Sequence, residues 1–226
     1  MNLNNAIFDR QAWVRLVTPI GGFLMGRQYT PAYETVATFD IMATQSALAA
    51  GQIAGIPTGV EIRYNNALQY RIVQGPWNAS LMYGFGERTN SADSRLLGIN
   101  TIYKTGAFSA GFGYNTKKNS AGEQALRSTV VGASGTQGGW TLSGMFARIE
   151  EPNPTDGPEL TAVLAPTPLA PFVPTVLDRL KQDANLMHVG LRYNMGAVGQ
   201  VTVAYTKLND KRAANADTAS YGVAYT

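Results

Sequence analysis

A row of charged and amide side chains on one short segment is the feature that most directly suggests chemistry. From residue 60 to residue 72 polar and apolar side chains alternate. Neighbouring side chains of a β-strand point to opposite faces, so the polar members of this row would share one face. Fixed charges in a row can steer ions through a pore, although the same pattern also fits the solvated face of an ordinary strand. The polar members are Glu61, Arg63, Asn65, Gln69 and Arg71.

His188, the single histidine, lacks the neighbours that catalysis or metal binding would need. It lies in another alternating segment, on the same polar face as Gly190 and Arg192. A zinc site needs further nitrogen or sulfur ligands, and the chain has no cysteine. Composition alone leaves a serine hydrolase open, but no Gly-x-Ser-x-Gly sequence is present and Ser143 lies in a strand-like segment. We therefore expect neither an enzyme nor a cofactor.

Glycine pairs and basic pairs allow two further interpretations. Gly84-x-Gly86 and Gly111-x-Gly113 resemble part of a nucleotide-binding loop, but both lack the third glycine and the following helix. Small side chains on the polar face of a strand explain them better. The basic residues are scattered and the net charge is only +3, so we expect no nucleic-acid partner.

The elements that must position these residues are strands. About eleven segments alternate with period two, each roughly 9–13 residues long, as tilted membrane strands do. Short and long connections alternate along the chain. This alternation predicts an all-β fold, namely a transmembrane antiparallel up-and-down β-barrel. The strands are expected near 6–18, 21–30, 59–72, 77–87, 93–104, 107–116, 124–135, 138–149, 184–194, 199–208 and 216–226. The short turns are expected at 18–22, 73–76, 105–106, 135–139 and 194–199, and the longer loops at 31–58, 88–92, 117–123, 150–183 and 209–215.

The composition agrees with strands that meet lipid on one face. Hydrophobic residues make up 45% of the chain, yet the mean hydropathy is only −0.10. No run approaches the ~18 apolar residues of a membrane-spanning helix. Charged residues reach only 15%, below the ~25% of a typical soluble domain.

Aromatic residues fall towards both ends of the predicted strands. Two such rows are typical of the girdles that flank the lipid-facing band of a barrel, whereas the core of a soluble β-protein does not require this sorting. Near the short turns lie Tyr70, Trp77, Tyr103, Phe108, Trp140 and Tyr193, and towards the long loops lie Tyr29, Phe85, Tyr114, Phe146 and Tyr205.

Two of the loops are long enough to have structure of their own. The alanine-rich part of loop 31–58, residues 41–54, could form a short helix. Loop 150–183 holds seven of the eleven prolines, so it cannot be a regular strand, and a helical turn is expected around 176–181. Long structured loops are often functional.

Three segments resemble the trimeric general porins of Gram-negative bacteria, in particular those of β-proteobacteria. They are Phe8-Asp9-Arg10-Gln11-Ala12-Trp13-Val14, then Gly26-Arg27-Gln28-Tyr29-Thr30-Pro31, and Tyr83-Gly84-Phe85-Gly86-Glu87. The resemblance extends over the whole chain and implies one porin domain, residues 1–226, cut from a sixteen-stranded barrel. It also implies that residues 31–58 are the third external loop, which folds into the lumen and narrows it.

In that family basic residues of the wall face acidic residues of the loop across the narrowest zone. The resemblance assigns Arg27, Arg63 and Arg71 to the basic wall, and Asp40 and Glu34 to the loop. The loop lacks the Pro-Glu-Phe-Gly-Gly sequence of enterobacterial members. The alternation adds further residues that are expected to face the lumen: Arg15, Glu61, Asn65, Gln69, His188 and Arg192.

The resemblance also implies extent, function and partners. Compared with the family, the chain is expected to begin at the fourth strand and to end within the fourteenth. We expect an outer-membrane channel for passive diffusion of small hydrophilic solutes and ions, with a weak to moderate anion preference. The expected partners are outer-membrane lipid, lipopolysaccharide and two further copies in a homotrimer. Lipopolysaccharide could contact Lys117-Lys118 and Lys211-Arg212, although these residues could also be solvated loop charges. A non-transporting binding or structural β-barrel is the alternative, and a polar inward face argues against a packed soluble barrel.

Overall fold

A single antiparallel sheet of eleven strands dominates the computed structural model, which describes residues 10–43, 61–86 and 94–226. Each strand pairs with the next one in the sequence, so the sheet is a meander, and the predicted all-β up-and-down fold is confirmed. The strands are β1 (Ala12–Thr18), β2 (Gly21–Tyr29), β3 (Arg63–Gln74), β4 (Trp77–Gly84), β5 (Leu96–Lys104), β6 (Phe108–Lys118), β7 (Gln124–Gln137), β8 (Trp140–Glu151), β9 (Gln182–Asn194), β10 (Gln200–Asp210) and β11 (Thr218–Tyr225).

The connections are sorted by length as predicted. Because the strands are antiparallel, five connections of at most five residues lie at one end of the sheet, and the other five, each of at least five residues, lie at the opposite end. The β7–β8 turn consists of Gly138 and Gly139, with φ of 56° and 84°, a left-handed conformation that only glycine adopts without strain. Lys117 and Lys118, expected in a loop, are instead the last two residues of β6.

The outer face of the sheet is apolar and exposed. Leu81, Leu142 and Val189, on three different strands, are each about half exposed, and their polar neighbours in sequence point the other way. Cross-strand aromatic pairs lie near the short turns: the ring centroids of Trp77 and Tyr103 are 4.9 Å apart, and those of Trp140 and Tyr193 are 4.4 Å apart. Such a surface suits contact with lipid, with an aromatic girdle at its border.

The first helix, α1 (Pro31–Phe39), lies against the inner face and contacts β4 to β8. Thr30 caps its N-terminus and Pro31 occupies the first turn, two strong start signals. Of the segment predicted as a helix, residues 41–54, only residues 41–43 are described; they form a turn, and the rest of that segment lies outside the described residues.

Strand β3 departs from the predicted unbroken alternation. Gln28 pairs with Tyr64, but Gly26 pairs with Ala67, so β3 has one extra residue and bulges, with Asn66 at a φ of 45°. Gln69 and Arg71 do share the inner face. Tyr64, expected outside, also lies on the inner face.

The β8–β9 connection is ordered. It contains α2 (Gly157–Leu164), a 3₁₀ turn at Ala170–Phe172 and α3 (Val173–Leu180), each with a proline in its first turn. The helical turn predicted at 176–181 lies within and just beyond α3. Among the described residues, every helix is too short or too polar to cross a bilayer.

Candidate functional site

Helix α1 lies in a groove that glycines open across neighbouring strands. A Cβ at Gly98 would come within 2.8 Å of the Pro31 ring, and a Cβ at Gly132 within 2.5 Å of Cγ of Phe39. Real Cβ atoms essentially never approach other atoms so closely, so the helix can occupy this position only because the side chains are missing. Gly111 and Gly113 extend the same groove beneath the helix, and Gly190 extends it beneath the turn that follows.

Apolar contacts hold the buried side of α1. Val36 and Phe39 pack against the inner faces of β7, β8 and β9 in a cluster completed by Ala32, Leu126, Val130, Met145, Ala147, Ile149 and Leu186. The inner face is therefore partly apolar, whereas the sequence pattern predicts a uniformly polar inner face. Near Phe39, Val130 on the inner face of β7 and Val131 on its outer face are both apolar, so polar and apolar residues do not alternate at that point.

Two asparagines of the wall fix the N-terminal end of α1. The Asn115 amide donates to Oγ1 of Thr30 at 2.9 Å and accepts from the backbone N–H of Ala32 at 3.2 Å. Nδ2 of Asn100 donates to the carbonyl of Pro31 at 3.2 Å. Neither asparagine was among the predicted site residues, since polar inward positions of a strand look alike in sequence.

A second set of polar groups fixes the C-terminal end. The Ser143 hydroxyl donates to the carbonyl of Phe39 at 2.7 Å, and Arg192 donates to the carbonyl of Ile41. The backbone N–H of Ile41 donates to Nε2 of His188 at 3.4 Å. The other ring nitrogen, Nδ1 of His188, forms a hydrogen bond with Oγ1 of Thr206, at 2.9 Å. His188 and Arg192 thus belong to the inner face as predicted, but they hold the loop in place instead of lining open space.

Glu34 and Arg71 form an ion pair between α1 and the wall. Both side chains are about one quarter exposed, and Nδ2 of Asn100 also donates to Glu34, at 3.1 Å. Burial raises the pKa of the Glu34 carboxyl above its ordinary value, and Arg71 and Asn100 offset part of that rise. The structure thus brings together two predicted site residues, Glu34 from the loop helix and Arg71 from the wall.

Asp40 does not have the position predicted for it. Its side chain is fully buried between α1 and the wall, where Oδ1 lies 3.6 Å from Nε2 of His188 and accepts from the backbone N–H of Met42 at 3.0 Å. A carboxylate buried in this way cannot line a lumen, so its assignment to an open constriction is wrong. Spacing alone cannot distinguish a loop carboxylate that faces the lumen from one that faces the wall.

The remaining predicted residues fall into two places. Arg15 and Gln69 both pair with Leu24 and share its inner face. Four others, Arg27, Arg63, Glu61 and Asn65, lie together at the loop end of β2 and β3.

At that end the side chains contact one another. Arg27 donates to Oδ1 of Asn65 at 2.5 Å, and the Arg63 guanidinium lies 5.1 Å from the ring centre of Tyr29. Lys117, which the sequence placed in a loop, forms an ion pair with Glu61 at 2.9 Å. Arg63 and Arg71 were predicted to share one face of β3, but they do not. Arg63 pairs with Tyr29, because the bulge between Arg63 and Arg71 shifts the alternation of side chains by one residue.

The described residues of the site bring charged and amide side chains together but show no arrangement for bond-making chemistry. No group of three or more histidine, cysteine or carboxylate side chains within 10–43, 61–86 and 94–226 could hold a metal ion. The geometry is a polar wall partly covered by a helix, with charges on both.

The family relationship comes from comparison with known proteins. The sequence model of the Gram-negative porins matches residues 2–226. The chain belongs to the Gram-negative porin family. Porins of this family are channel proteins of the outer membrane, not enzymes, and the location and the absence of catalysis follow from this membership.

Solved porin structures share the fold. A loop L8 deletion mutant of OmpT from Vibrio cholerae superposes with a TM-score of 0.65 at 14% identity, over 95% of this chain and 67% of that one. The in-vitro folded OmpT in its trimer form gives 0.62 and 14%, over 95% and 64%. OmpF of Salmonella typhi in complex with daunomycin gives 0.62 and 14%, over 92% and 63%. The chain thus spans about two thirds of the length of these porins. Curated protein sequences give no match.

Proposed function

We propose that the complete protein forms a water-filled channel through which small hydrophilic solutes and ions diffuse passively. One observation carries the proposal: the sheet has an exposed apolar outer face and an inner face with rows of Ser, Asn, Gln, Thr and Arg side chains. This is the division between lipid and aqueous lumen that a porin wall requires. A soluble barrel would instead pack apolar residues inside.

We further propose that residues 31–58 form the constriction of this channel. The support is the position of α1 on the inner face, fixed at both ends by hydrogen bonds to β5, β6, β8 and β9. A rigid helix on the wall narrows the lumen permanently, with no need for a conformational cycle. Residues 44–58 lie outside the described residues.

A weak to moderate anion preference is part of the proposal. On the inner face the exposed or half-buried charges are Arg15, Arg71, Lys104, Lys117 and Arg192 against Glu34 and Glu61, since Asp40 is buried. Arg71 is paired with Glu34 and Arg192 binds a backbone carbonyl, which leaves Arg15 as the most exposed of the three arginines. The excess of positive charge is small, so strong selectivity is not expected.

The test is a reversal potential in a KCl gradient, measured with the full-length protein in planar bilayers. Arg71→Gln should lower the anion-to-cation permeability ratio by about twofold, because a partly screened charge contributes only modestly. The matched control is Lys207→Gln, which removes the same charge from the outer face. A channel that prefers cations, or equal ratios in both variants, contradicts the anion preference. Absence of any conductance contradicts the channel and supports a non-transporting barrel.

A homotrimer and contact with lipopolysaccharide complete the proposed assembly. The trimer is supported by the trimer form of the OmpT structure. Contact with lipopolysaccharide is supported by Arg127 and Arg148, which lie on the outer face near its loop end, where phosphate groups of the outer leaflet would meet them. Both arginines also pair with Glu150. Light scattering of the detergent-solubilised protein tests the homotrimer. Binding of purified lipopolysaccharide to an Arg127→Gln, Arg148→Gln double variant tests the lipopolysaccharide contact.

A further inference from the structure

A cavity of about 370 Å³ lies at the loop end of the sheet and is enclosed from two sides. Strands β2, β3 and β6 supply one wall, and the β8–β9 connection reaches over to supply the other. Every lining residue has a polar group, and no aliphatic side chain is among them. The lining residues are Arg27, Glu61, Arg63, Tyr64, Asn65, Ser94, Lys117, Thr155, Asp156 and Glu159.

The charges that line the cavity balance. Three cations and three carboxylates are among the lining residues. Lys117 and Glu61 belong to the same wall and form an ion pair at 2.9 Å. The two arginines therefore lie on the strand wall, while Asp156 and Glu159 lie on the opposite wall.

Both walls are built from ordered structure. On the strand wall, Arg27 is held by Asn65 and Arg63 by the ring of Tyr29.

The opposite wall begins at Glu151. Its buried carboxylate accepts from Thr155 N at 2.9 Å, from Thr155 Oγ1 at 2.8 Å and from Nε2 of Gln182 at 2.7 Å. These bonds fix the start of α2, whose N-cap is Asp156 and whose first turn contains Glu159.

We propose that this cavity is an entrance subsite for small zwitterions, namely amino acids and short peptides. The carboxylate of the solute faces Arg27 and Arg63, and its ammonium group faces Asp156 and Glu159. A simple anion or cation is attracted by one wall and repelled by the other, whereas a zwitterion of matching length is attracted by both. The inference rests on the proposed channel function, because the subsite acts on solutes that enter the lumen.

The size and composition of the cavity fit this class of solute. Its volume corresponds to about a dozen water molecules at ~30 Å³ each, enough for a dipeptide with some hydration. The polar lining offers nothing to an apolar solute. Binding at exposed ion pairs is weak, as conduction requires, since a solute must leave the site as readily as it enters.

The first experiment is liposome swelling with the full-length protein, comparing diglycine with xylose, an uncharged solute of similar mass. We expect Arg63→Gln and Glu159→Gln each to lower the diglycine-to-xylose rate ratio about two- to fivefold, in keeping with the modest strength of solvent-exposed ion pairs. Lys207→Gln, on the outer face, should leave the ratio unchanged.

The second measurement separates a charge effect from a structural one. In a KCl gradient the same two variants should shift the reversal potential in opposite directions, Arg63→Gln towards cations and Glu159→Gln towards anions. Shifts of the same sign, or an unchanged diglycine-to-xylose ratio in variants that still pass xylose, overturn the subsite. Failure of the unmodified protein to pass xylose instead contradicts the channel function itself.

Discussion

Adding one methyl group at Gly132 tests how closely α1 is seated on the wall. The new Cβ would lie 2.5 Å from Cγ and 2.9 Å from Cβ of Phe39, whereas ordinary contact begins at 3.4 Å, a shortfall of 0.9 Å at Cγ. Rotation of the ring cannot relieve the clash, because the Cβ of Phe39 is fixed by the helix backbone. The strand is held by hydrogen bonds to two neighbours, so the helix must move, towards the interior.

We expect Gly132→Ala to lower the free energy of unfolding by about 1–3 kcal/mol, the usual cost of overpacking. Single-channel conductance should fall because the helix is displaced into the lumen. Urea unfolding in lipid vesicles and planar-bilayer recording measure the two effects. The matched control is Gly144→Ala on the adjacent strand, where a Cβ would meet only the carbonyl of His188 at an ordinary 3.5 Å.

A double-mutant cycle shows whether Phe39 is the cause. Phe39→Ala alone removes a fully buried aromatic side chain and should cost about 3–5 kcal/mol. In that background Gly132→Ala should cost clearly less than in the unmodified protein, because the ring atoms of Phe39 are gone and only the 2.9 Å approach to its Cβ remains. Strictly additive effects, or a Gly132→Ala protein that matches Gly144→Ala in stability and conductance, would refute the close seating of the helix.

Three further outcomes follow from the ion pair and from the attachment of the helix. Glu34→Gln should raise the anion-to-cation permeability ratio by about twofold in a KCl gradient, because Arg71 is left uncompensated; a lower ratio would show that Glu34 does not face the ion path. Burial raises the pKa of Glu34, so its carboxyl takes up a proton at a higher pH than an exposed glutamate does. Acidification should therefore raise the anion-to-cation permeability ratio of the unmodified protein, and should raise it much less in Glu34→Gln. Arg192→Gln removes the hydrogen bond to the Ile41 carbonyl. It should increase open-channel noise and lower the free energy of unfolding by about 1–3 kcal/mol. Channels with unchanged noise and unchanged stability would contradict the role of Arg192 in attaching the loop.

The strands were predictable because a membrane barrel imposes one simple rule on its sequence. Lipid outside and water inside demand period two, and ten of the eleven predicted strands begin within about three residues of the observed ones or, in β3, within four. The first strand is the exception, since the prediction extends into residues 1–9, outside the described part of the chain. The rule fails at the start of β3, because a bulge changes the side to which residues point without changing their types.

The loop helix was harder to place. The alanine-rich composition of residues 41–54 predicts a helix there, whereas the start signal of α1, Thr30-Pro31, is hard to see because it directly follows a strand. Glycines of one face recur on β5, β6, β7 and β9, and this recurrence was a usable signal for a helix lying across those strands. The buried position of Asp40 had no comparable signal, since it depends on contact with His188, 148 positions away.

The attachment of α1 also has a consequence for the order of assembly. The wall is made of pairings between sequence neighbours, which can form one hairpin at a time. The helix, by contrast, depends on partners 85, 104 and 151 positions further along, in Asn115, Ser143 and Arg192. Contacts between distant residues form late, because the intervening chain must first be ordered. We therefore expect the helix to occupy its groove only after β5, β6 and β7 have joined the sheet, and to gain its last hydrogen bonds when β8 and β9 follow.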